Sequence, residues 1–361
     1  MKAFVTGGAG FVGQRVVRKL IERGYDVISL VRSPESAAIV SGLGAEAVFG
    51  DITNVSSMRE SMQGSDVVFH LAAWYAIGAV DREQMEITNV GGTRKVLRLA
   101  YELGVPRIIY TSTVNVFGDT KGEFVDETYY NDGPFLTEYD RTEWLAHYKV
   151  TVPLMEKGAP ITIVMPGPVY GPGDHSIIAD AMRMFYRGFP IVPGPDTVLT
   201  FTHVDDVAEG HLLALEKGRI DETYILTGPA IPMGEIVDFW AHLTGRSAPA
   251  LRVPSSLVRA SAPLAGMAGP FTDLGSVFSK EGASLVGATY MAKSDKARKE
   301  LGWKTRPLQL GMLETFEWIA ATEDQRKTEI VRHREEQIAR LALFTSILLL
   351  AAWLFSRRRN K

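Results

Sequence analysis

Hydrophobic and polar positions alternate in blocks along the first half of the chain. Short apolar runs of strand length are followed by stretches with the period of an amphipathic helix, and the first such run is Lys2 to Thr6. The later runs are Asp26 to Val31, Ala45 to Phe49, Asp66 to Leu71, Arg107 to Tyr110 and Ile161 to Met165. Strands that alternate with helices predict a parallel sheet covered on both faces. The pattern therefore predicts a doubly wound α/β fold.

The first strand runs directly into a glycine-rich turn, with Gly7, Gly10 and Gly13 ahead of a helix. In such a unit the glycines permit a tight turn, a close approach of backbone N–H groups to a pyrophosphate, and close packing of helix and strand. The phosphates then lie at the helix N-terminus, beside Phe11 and Val12. The turn predicts a Rossmann-type dinucleotide site; a purely structural turn is the alternative.

The end of the second strand indicates which dinucleotide is bound. Arg32 and Ser33 stand there, and no acidic residue lies between Val27 and Ser33. An acid at this position binds the ribose 2′-hydroxyl of NAD, whereas an arginine suits the 2′-phosphate of NADP. NADP is therefore the predicted cofactor and NAD the alternative, unless Arg32 is only a solvated surface charge.

Composition excludes several classes of site. The chain has 361 residues, a net charge of −3 and no cysteine, so disulfides and thiolate metal sites are excluded. The first 320 residues carry no basic stripe, which argues against a nucleic-acid partner. His203, Asp205 and Asp206 are not interpreted as metal ligands; the two aspartates are interpreted as helix-capping residues, and no metal site is predicted.

The C-terminal segment differs from the rest of the chain. Leu341 to Phe355 is uncharged and is bracketed by Arg340 and by the arginines at 357–359. The run is shorter than the roughly 20 residues of a comfortable membrane span. It is apolar all round, whereas a helix docked on the protein, the alternative, would show a polar face. We predict a charged helical linker over 322–337 and a C-terminal hydrophobic helix in a membrane-associating tail over 338–361, spanning or interfacial.

A series of motifs in fixed order identifies a family resemblance over about residues 1 to 321. They are the glycine turn, G-D-I-T at 50, H-L-A-A at 70, T-S-T-V-N-V-F-G at 111, Y-D-R-T-E at 139, P-G-P-V-Y-G-P-G-D at 166, F-T-H-V-D-D-V-A at 201 and S-D-K-A-R-K-E-L-G-W at 294. They resemble the extended short-chain dehydrogenase/reductase family. Within it, the chain is most similar to the dihydroflavonol reductase, 3β-hydroxysteroid dehydrogenase and NAD-dependent epimerase/dehydratase branch.

The resemblance implies which residues touch the cofactor. Asp51, followed by Ile52, accepts a hydrogen bond from the adenine amine, although Asp51 is also interpretable as a helix N-cap. Further cofactor contacts are implied at Leu71, Ala72, Ala73, Thr111, Tyr139, Pro166 and Val169.

The resemblance also implies the catalytic residues. Thr113, with Ser112 beside it, holds the substrate oxygen, and Tyr139 is the acid/base. The family's lysine, one helical turn after the tyrosine, binds the nicotinamide ribose and lowers the phenol's pKa, but Glu143 stands here instead. Because a carboxylate disfavours phenolate, we predict weak oxidation of alcohols and less impaired reduction of ketones.

Domains and function are implied in the same way. The dinucleotide domain covers 1–175, with 200–228 returning to it, and a smaller substrate-binding or lid region covers 176–199 and 229–321. The expected function is NAD(P)-dependent oxidation or reduction of a lipophilic, steroid-, terpenoid- or flavonoid-like molecule at the cytoplasmic face of a membrane. The alternatives are a nucleotide-sugar epimerase or dehydratase, and a cofactor-binding protein whose turnover is impaired by Glu143. The sequence leaves the oligomeric state open, a homodimer included.

Overall fold

The computed structural model describes residues 1–78, 81–260 and 279–325. Its centre is a sheet of seven strands in the order β11-β6-β5-β4-β1-β2-β3, and every neighbouring pair is parallel. The strands are β1 Lys2–Thr6, β2 Asp26–Val31, β3 Glu46–Phe49, β4 Val67–His70, β5 Ile108–Thr111, β6 Ile161–Pro166 and β11 Thr223–Leu226. The order reverses between β1 and β4, where ligands bind in open α/β sheets. The predicted doubly wound α/β fold is confirmed.

Helices connect these strands. They are α1 Phe11–Glu22, α2 Pro34–Gly42, α3 Ser56–Met62, α4 Arg82–Glu86, α5 Thr93–Glu102, α6 Glu138–Trp144, α7 Val152–Met155, α8 Ile177–Tyr186, α9 Val204–Glu216, α10 Met233–Thr244 and α11 Lys280–Leu285. Segments of π-helix lie at Ile87–Gly92, Leu145–Thr151 and Ala297–Leu301, and a 3-10 helix lies at Val114–Phe117.

Two hydrophobic cores cover the two faces of the sheet. Phe4 of β1 belongs to one core, whereas its neighbours Ala3 and Val5 belong to the other. Successive side chains of a strand point to opposite faces, so a strand buried on both faces is apolar at every position. This explains why the strand runs are continuously hydrophobic rather than alternating.

The helical segment between β4 and β5 contains a glycine pair. Gly92 lies where a Cβ atom would come within 2.5 Å of the Cδ1 atom of Ile52, so the glycine is needed for close packing. The chain forms π-helix over Ile87–Gly92, between α4 and α5. This geometry brings Asn89 into the interior, where it is 1% exposed.

Three small sheets follow the sixth strand. They pair β7 Val169–Tyr170 with β10 Thr202–His203, β8 Ile191–Pro193 with β13 Leu251–Val253, and β9 Val198–Thr200 with both β12 Ala230–Pro232 and β14 Thr289–Tyr290. Residues 1–315 form one compact unit, and a second unit begins at Phe316. The proposed division at 175 stays a prediction.

Most of the predicted linker and all of the hydrophobic helix over 338–361 lie outside the described residues, which end at 325. Within the three described ranges, no helix combines the length and apolar character needed to cross a membrane.

Candidate active site

The glycine turn is built from close backbone contacts. Gly7 has a φ of +76°, and a Cβ atom on it would lie 2.7 Å from the backbone nitrogen of Ala72. A Cβ atom on Gly13 would lie 2.0 Å from the carbonyl oxygen of Gly7. The turn therefore packs against the end of β4, at the reversal point of the sheet. Side chains at these two positions would block that packing.

The start of α1 fits a pyrophosphate. Gly10 is the N-cap residue, no side chain caps the helix, and its first turn, which opens with Phe11 and Val12, contains no acidic residue. The first N–H groups of a helix have no intrahelical partner, and the helix dipole is positive at this end. These free donors suit the phosphate groups of a dinucleotide.

The adenosine end of the predicted site has two charged residues. Arg32 is exposed at the end of β2. Asp51 accepts hydrogen bonds from both the backbone N–H and the hydroxyl of Thr53 through Oδ1, each 2.7 Å long. Burial raises the pKa of the Asp51 carboxyl, but the Thr53 hydrogen bonds and the charges of Arg32 and Lys95 outweigh it and lower the pKa overall.

Two details differ from the expectations for this end. Asp51 does not cap α3, which begins five residues later with Val55 at its N-cap; its bonds to Thr53 form a local turn instead. The Ser33 hydroxyl accepts from the backbone of Ser36 and so caps α2. Ile52 is buried beneath the π-helix at Gly92.

The Asn89 side chain holds the segment that follows β4 in place. Leu71 and Ala72 are half-buried and Ala73 is exposed. The Asn89 side chain accepts a 2.7 Å hydrogen bond from the backbone N–H of Trp74 and donates one of 3.1 Å to its carbonyl oxygen. This clamp fixes the backbone course just beyond the H-L-A-A motif.

The three hydroxyl residues at the end of β5 have different partners. The Thr111 hydroxyl lies 2.8 Å from Nε2 of His211, and the Ser112 hydroxyl lies 2.8 Å from Nδ1 of His147. Burial lowers the pKa of both imidazoles to about 4, so both are neutral at neutral pH. The structure therefore directs these two hydroxyls toward buried histidines, and the predicted roles of Thr111 and Ser112 at the ligands stay predictions.

Thr113 caps the 3-10 helix after β5. Its hydroxyl accepts from the backbone N–H of Asn115 and donates to the Asn115 side-chain oxygen. Asn115 in turn donates a 2.9 Å hydrogen bond to Oδ1 of Asp140. Thr113 is thus joined by one intervening side chain to the residue directly after Tyr139, so the structure brings the two predicted catalytic segments together.

Tyr139 is half-buried, with other ionisable side chains around it. Its ring meets the ring of Tyr75 edge to face, with centroids 4.9 Å apart. Burial, followed by the charge of Glu143 when that residue is ionised, raises the pKa of the Tyr139 phenol well above its usual range. The phenol therefore keeps its proton at neutral pH.

Asp140 and Glu143 are buried carboxyl groups beside this phenol. Asp140 is 0% and Glu143 3% exposed. The Tyr290 hydroxyl donates to Oδ2 of Asp140 at 3.2 Å, in addition to the bond from Asn115. Burial raises the pKa of Asp140 to about 6, although these hydrogen bonds lower it. Burial, and then the charge of Asp140, raise the pKa of Glu143 to about 8.

The raised pKa of Glu143 differs from what the sequence led us to expect. Glu143 was expected to act as a carboxylate near pH 7, but a group with a pKa of about 8 is mostly protonated there. The cause is burial, which sequence spacing does not reveal. Reduction is still expected to be the less impaired direction, because a neutral acid also supplies no positive charge to stabilise a phenolate.

Pro166 and Val169 lie at the end of β6 and the start of β7. Pro166 is the last residue of β6 and is buried, whereas Val169 begins β7 and is half-buried. Between them, a Cβ atom on Gly167 would lie 2.7 Å from the Thr200 hydroxyl. Both residues therefore border the carboxyl edge of the sheet, and their contacts with the cofactor stay predictions.

Sequence reasoning missed several residues that surround Tyr139. Asp140 follows it directly and could have been noticed, because an acid beside a catalytic tyrosine alters its pKa. Tyr75 lies two residues after the H-L-A-A motif, and Asn115 lies within the T-S-T-V-N-V-F-G motif. Tyr290 lies 150 residues further along the chain from Asp140 and has no local signal.

One group of side chains has the composition of a metal site, namely His203, Asp205 and Glu314. His203 accepts from the backbone N–H of Asp205 through Nδ1 and so caps α9, a role that the sequence analysis gave to the two aspartates. Arg306 forms ion pairs with both Asp205 and Glu314. These carboxylates already have a cationic partner.

Comparison with known proteins agrees with this geometry. The model of the NAD dependent epimerase/dehydratase family matches residues 3–226. A 4-hydroxy-2-methyl-3-oxo-4-farnesyl-3,4-dihydroquinoline-1-oxide ketoreductase of Stigmatella aurantiaca is 31% identical over 315 residues, which are 85% of this chain and 92% of the relative. Sterol demethylase protein B of Methylococcus capsulatus is 28% identical over 88% of this chain and 98% of its own length. The crystal structure of gox2253 superposes with a TM-score of 0.76 at 32% identity, covering 89% of this chain and 98% of that one.

The fold, the glycine turn and these matches define a nicotinamide-dependent enzyme of the extended short-chain dehydrogenase/reductase type. The chain belongs to the NAD-dependent epimerase/dehydratase family. The predicted family and the nicotinamide cofactor are thereby confirmed, while the choice between NADP and NAD stays a prediction.

Proposed function

We propose that this chain is an NAD(P)H-dependent ketoreductase acting on a lipophilic small molecule. The observation that carries the proposal is the environment of Tyr139. Its phenol is held in the protonated form by burial, and none of the described lysines or arginines forms an ion pair with Asp140 or Glu143. A protonated phenol can donate to a carbonyl oxygen, but it cannot take a proton from an alcohol near neutral pH.

Each residue then has a definite task. Tyr139 donates the proton, and the Thr113 hydroxyl holds the carbonyl oxygen in place of its present bond to Asn115. Ser112, bonded to His147, supports the end of β5. The reduced nicotinamide, when bound, supplies the hydride. The residues proposed to hold it are Gly7, Gly10, Phe11, Val12, Gly13, Arg32, Asp51, Ile52, Leu71, Ala72, Ala73, Thr111, Tyr139, Pro166 and Val169.

NADPH is the proposed form of the cofactor. Arg32 is exposed at the end of β2, and it lies close enough to Asp51 for its charge to help lower the pKa of that carboxyl. A guanidinium suits the 2′-phosphate that distinguishes NADP from NAD.

A lipophilic substrate is supported by the names of the relatives, one a ketoreductase of a farnesylated quinoline oxide and one a sterol demethylase protein. We propose that residues 176–199 and 229–321 form the substrate side of the enzyme. We also propose that residues 338–361 attach it to a membrane with the enzyme on the cytoplasmic face. Deleting everything after Gln337 should release a folded enzyme, and a full-length chain that leaves membranes without detergent would contradict the attachment.

The test of the activity is a panel of hydrophobic ketones and the matching alcohols, assayed with both cofactors by nicotinamide absorbance. We expect consumption of NADPH with at least one ketone and much slower reduction of NADP⁺ by the alcohol at pH 7. A nucleotide sugar converted without net consumption of cofactor would instead support the epimerase alternative.

A further inference from the structure

The two buried carboxyl groups next to Tyr139 are not equivalent. Asp140 accepts hydrogen bonds from Asn115 and Tyr290. Glu143, one helical turn further on, is 3% exposed, yet its carboxyl group has no hydrogen bond from any described residue and no ion pair within the described ranges. A buried carboxylate without a partner is costly, and a second carboxylate close by increases the cost.

The groups around Glu143 supply no positive charge. Tyr110 of β5 lies close enough to feel its charge, Tyr139 and Asp140 lie on its own helix, and Tyr75, from the loop after β4, contacts the Tyr139 ring. His147, one turn further along, is neutral because burial lowers its pKa to about 4. Of the two acids, Asp140 is the one whose hydrogen bonds stabilise the ionised form. The pair therefore holds one proton at neutral pH, and Glu143 is where it resides.

We propose that Glu143 is a positioning residue that stays protonated near Tyr139 at neutral pH and sets the upper pH limit of ketone reduction. This proposal rests on the ketoreductase function proposed above. The carbonyl carbon gains a hydride and its oxygen gains the Tyr139 proton, which leaves a phenolate that then regains its proton from solvent. A neutral Glu143 adds no negative charge near that phenolate. Once ionised, Glu143 opposes the phenolate and so slows proton donation by Tyr139.

The sign of the pH dependence follows from the raised pKa of Glu143, about 8 in the folded protein against 4.5 for an ordinary glutamate. Below pH 8 Glu143 keeps its proton in the folded protein, and ketone reduction should proceed. Above pH 8 the rate of ketone reduction should fall. Folding stability should also decline between pH 4.5 and 8, because the unfolded chain loses this proton first.

The test that needs no turnover is infrared titration of the purified full-length protein. We expect a protonated-carboxyl band that disappears near pH 8, is missing in Glu143→Gln and persists in Glu138→Gln. Glu138 is the matched control, because it lies on the same helix and is buried but is ion-paired with Arg141. Glu143→Gln should also raise the Tm at pH 9 more than at pH 5. A wild-type protein without this band at pH 6.5 would overturn the proposal.

The second readout is the pH profile of kcat for a reduced ketone. The wild type should lose activity above about pH 8 by tenfold per pH unit, as expected for a single ionisation, whereas Glu143→Gln should lack this limb. The same descending limb in Glu143→Gln would overturn the link to Tyr139. Failure of every ketone to react would contradict the ketoreductase function alone, because the infrared titration decides the protonation of Glu143 independently.

Discussion

At the start of α1 the chain offers a ligand its backbone, whereas at α6 it offers side chains. The glycine turn has no functional side chain at Gly7, Gly10 or Gly13, and its contacts are set by atoms that every residue possesses. Around Tyr139 and Glu143, by contrast, the properties of the site come from burial and from neighbouring acids. The glycine turn is therefore sensitive to added side-chain volume, whereas the site around Tyr139 is sensitive to added charge.

The largest effect is expected on cofactor affinity, for a substitution in the glycine turn at Gly13. The Cβ atom of Gly13→Ala would meet the Gly7 carbonyl oxygen at 2.0 Å, so the turn must shift and cofactor affinity should fall at least a hundredfold. Fluorescence titration with NADPH measures this. Gly42→Ala is the control, since a Cβ there meets no atom within 4 Å. Affinity within threefold of wild type in Gly13→Ala, with the Tm unchanged, would break the comparison.

Tyr139→Phe should separate the two regions. Removing the hydroxyl abolishes proton donation, which is worth roughly 10²- to 10⁴-fold in kcat. The glycine turn is untouched, so the dissociation constant of NADPH should change little. Tyr101→Phe, at an exposed tyrosine whose hydroxyl donates to the Lys157 carbonyl oxygen and to no other described residue, is the matched control. If Tyr139→Phe keeps full activity on the ketone, another group is the acid.

The smallest effect is expected at Arg32. A charge-assisted contact contributes roughly 1.5–3 kcal/mol, so Arg32→Ala should weaken NADPH by about tenfold or more and leave NADH nearly unchanged. Binding of both cofactors to the variant and to Arg18→Ala, an exposed arginine of α1, provides the measurement. Equal losses for NADPH and NADH would contradict a contact with the 2′-phosphate.

Expectations from the sequence were most accurate where local pattern is sufficient. The strand predicted at Asp26 to Val31 has the same bounds in the structure, and the glycine turn lies where the motif placed it. They were less accurate for side chains with distant partners. Ser112 bonds His147, and His203 rather than an aspartate caps α9. Such partners depend on which segments the fold brings together.

The sequence by itself determined the parallel sheet, the dinucleotide turn and the replacement of the family's lysine by Glu143. Those features depend on residue type and spacing, because periodicity fixes the faces of strands and helices and because only glycine fits a crowded turn. Only the tertiary structure decided the protonation of Glu143. It depends on the burial of its carboxyl group and on the charge of Asp140, which accepts hydrogen bonds from Asn115 and Tyr290 in distant parts of the chain. Desolvation is a property of the assembled site, and no stretch of sequence encodes it alone.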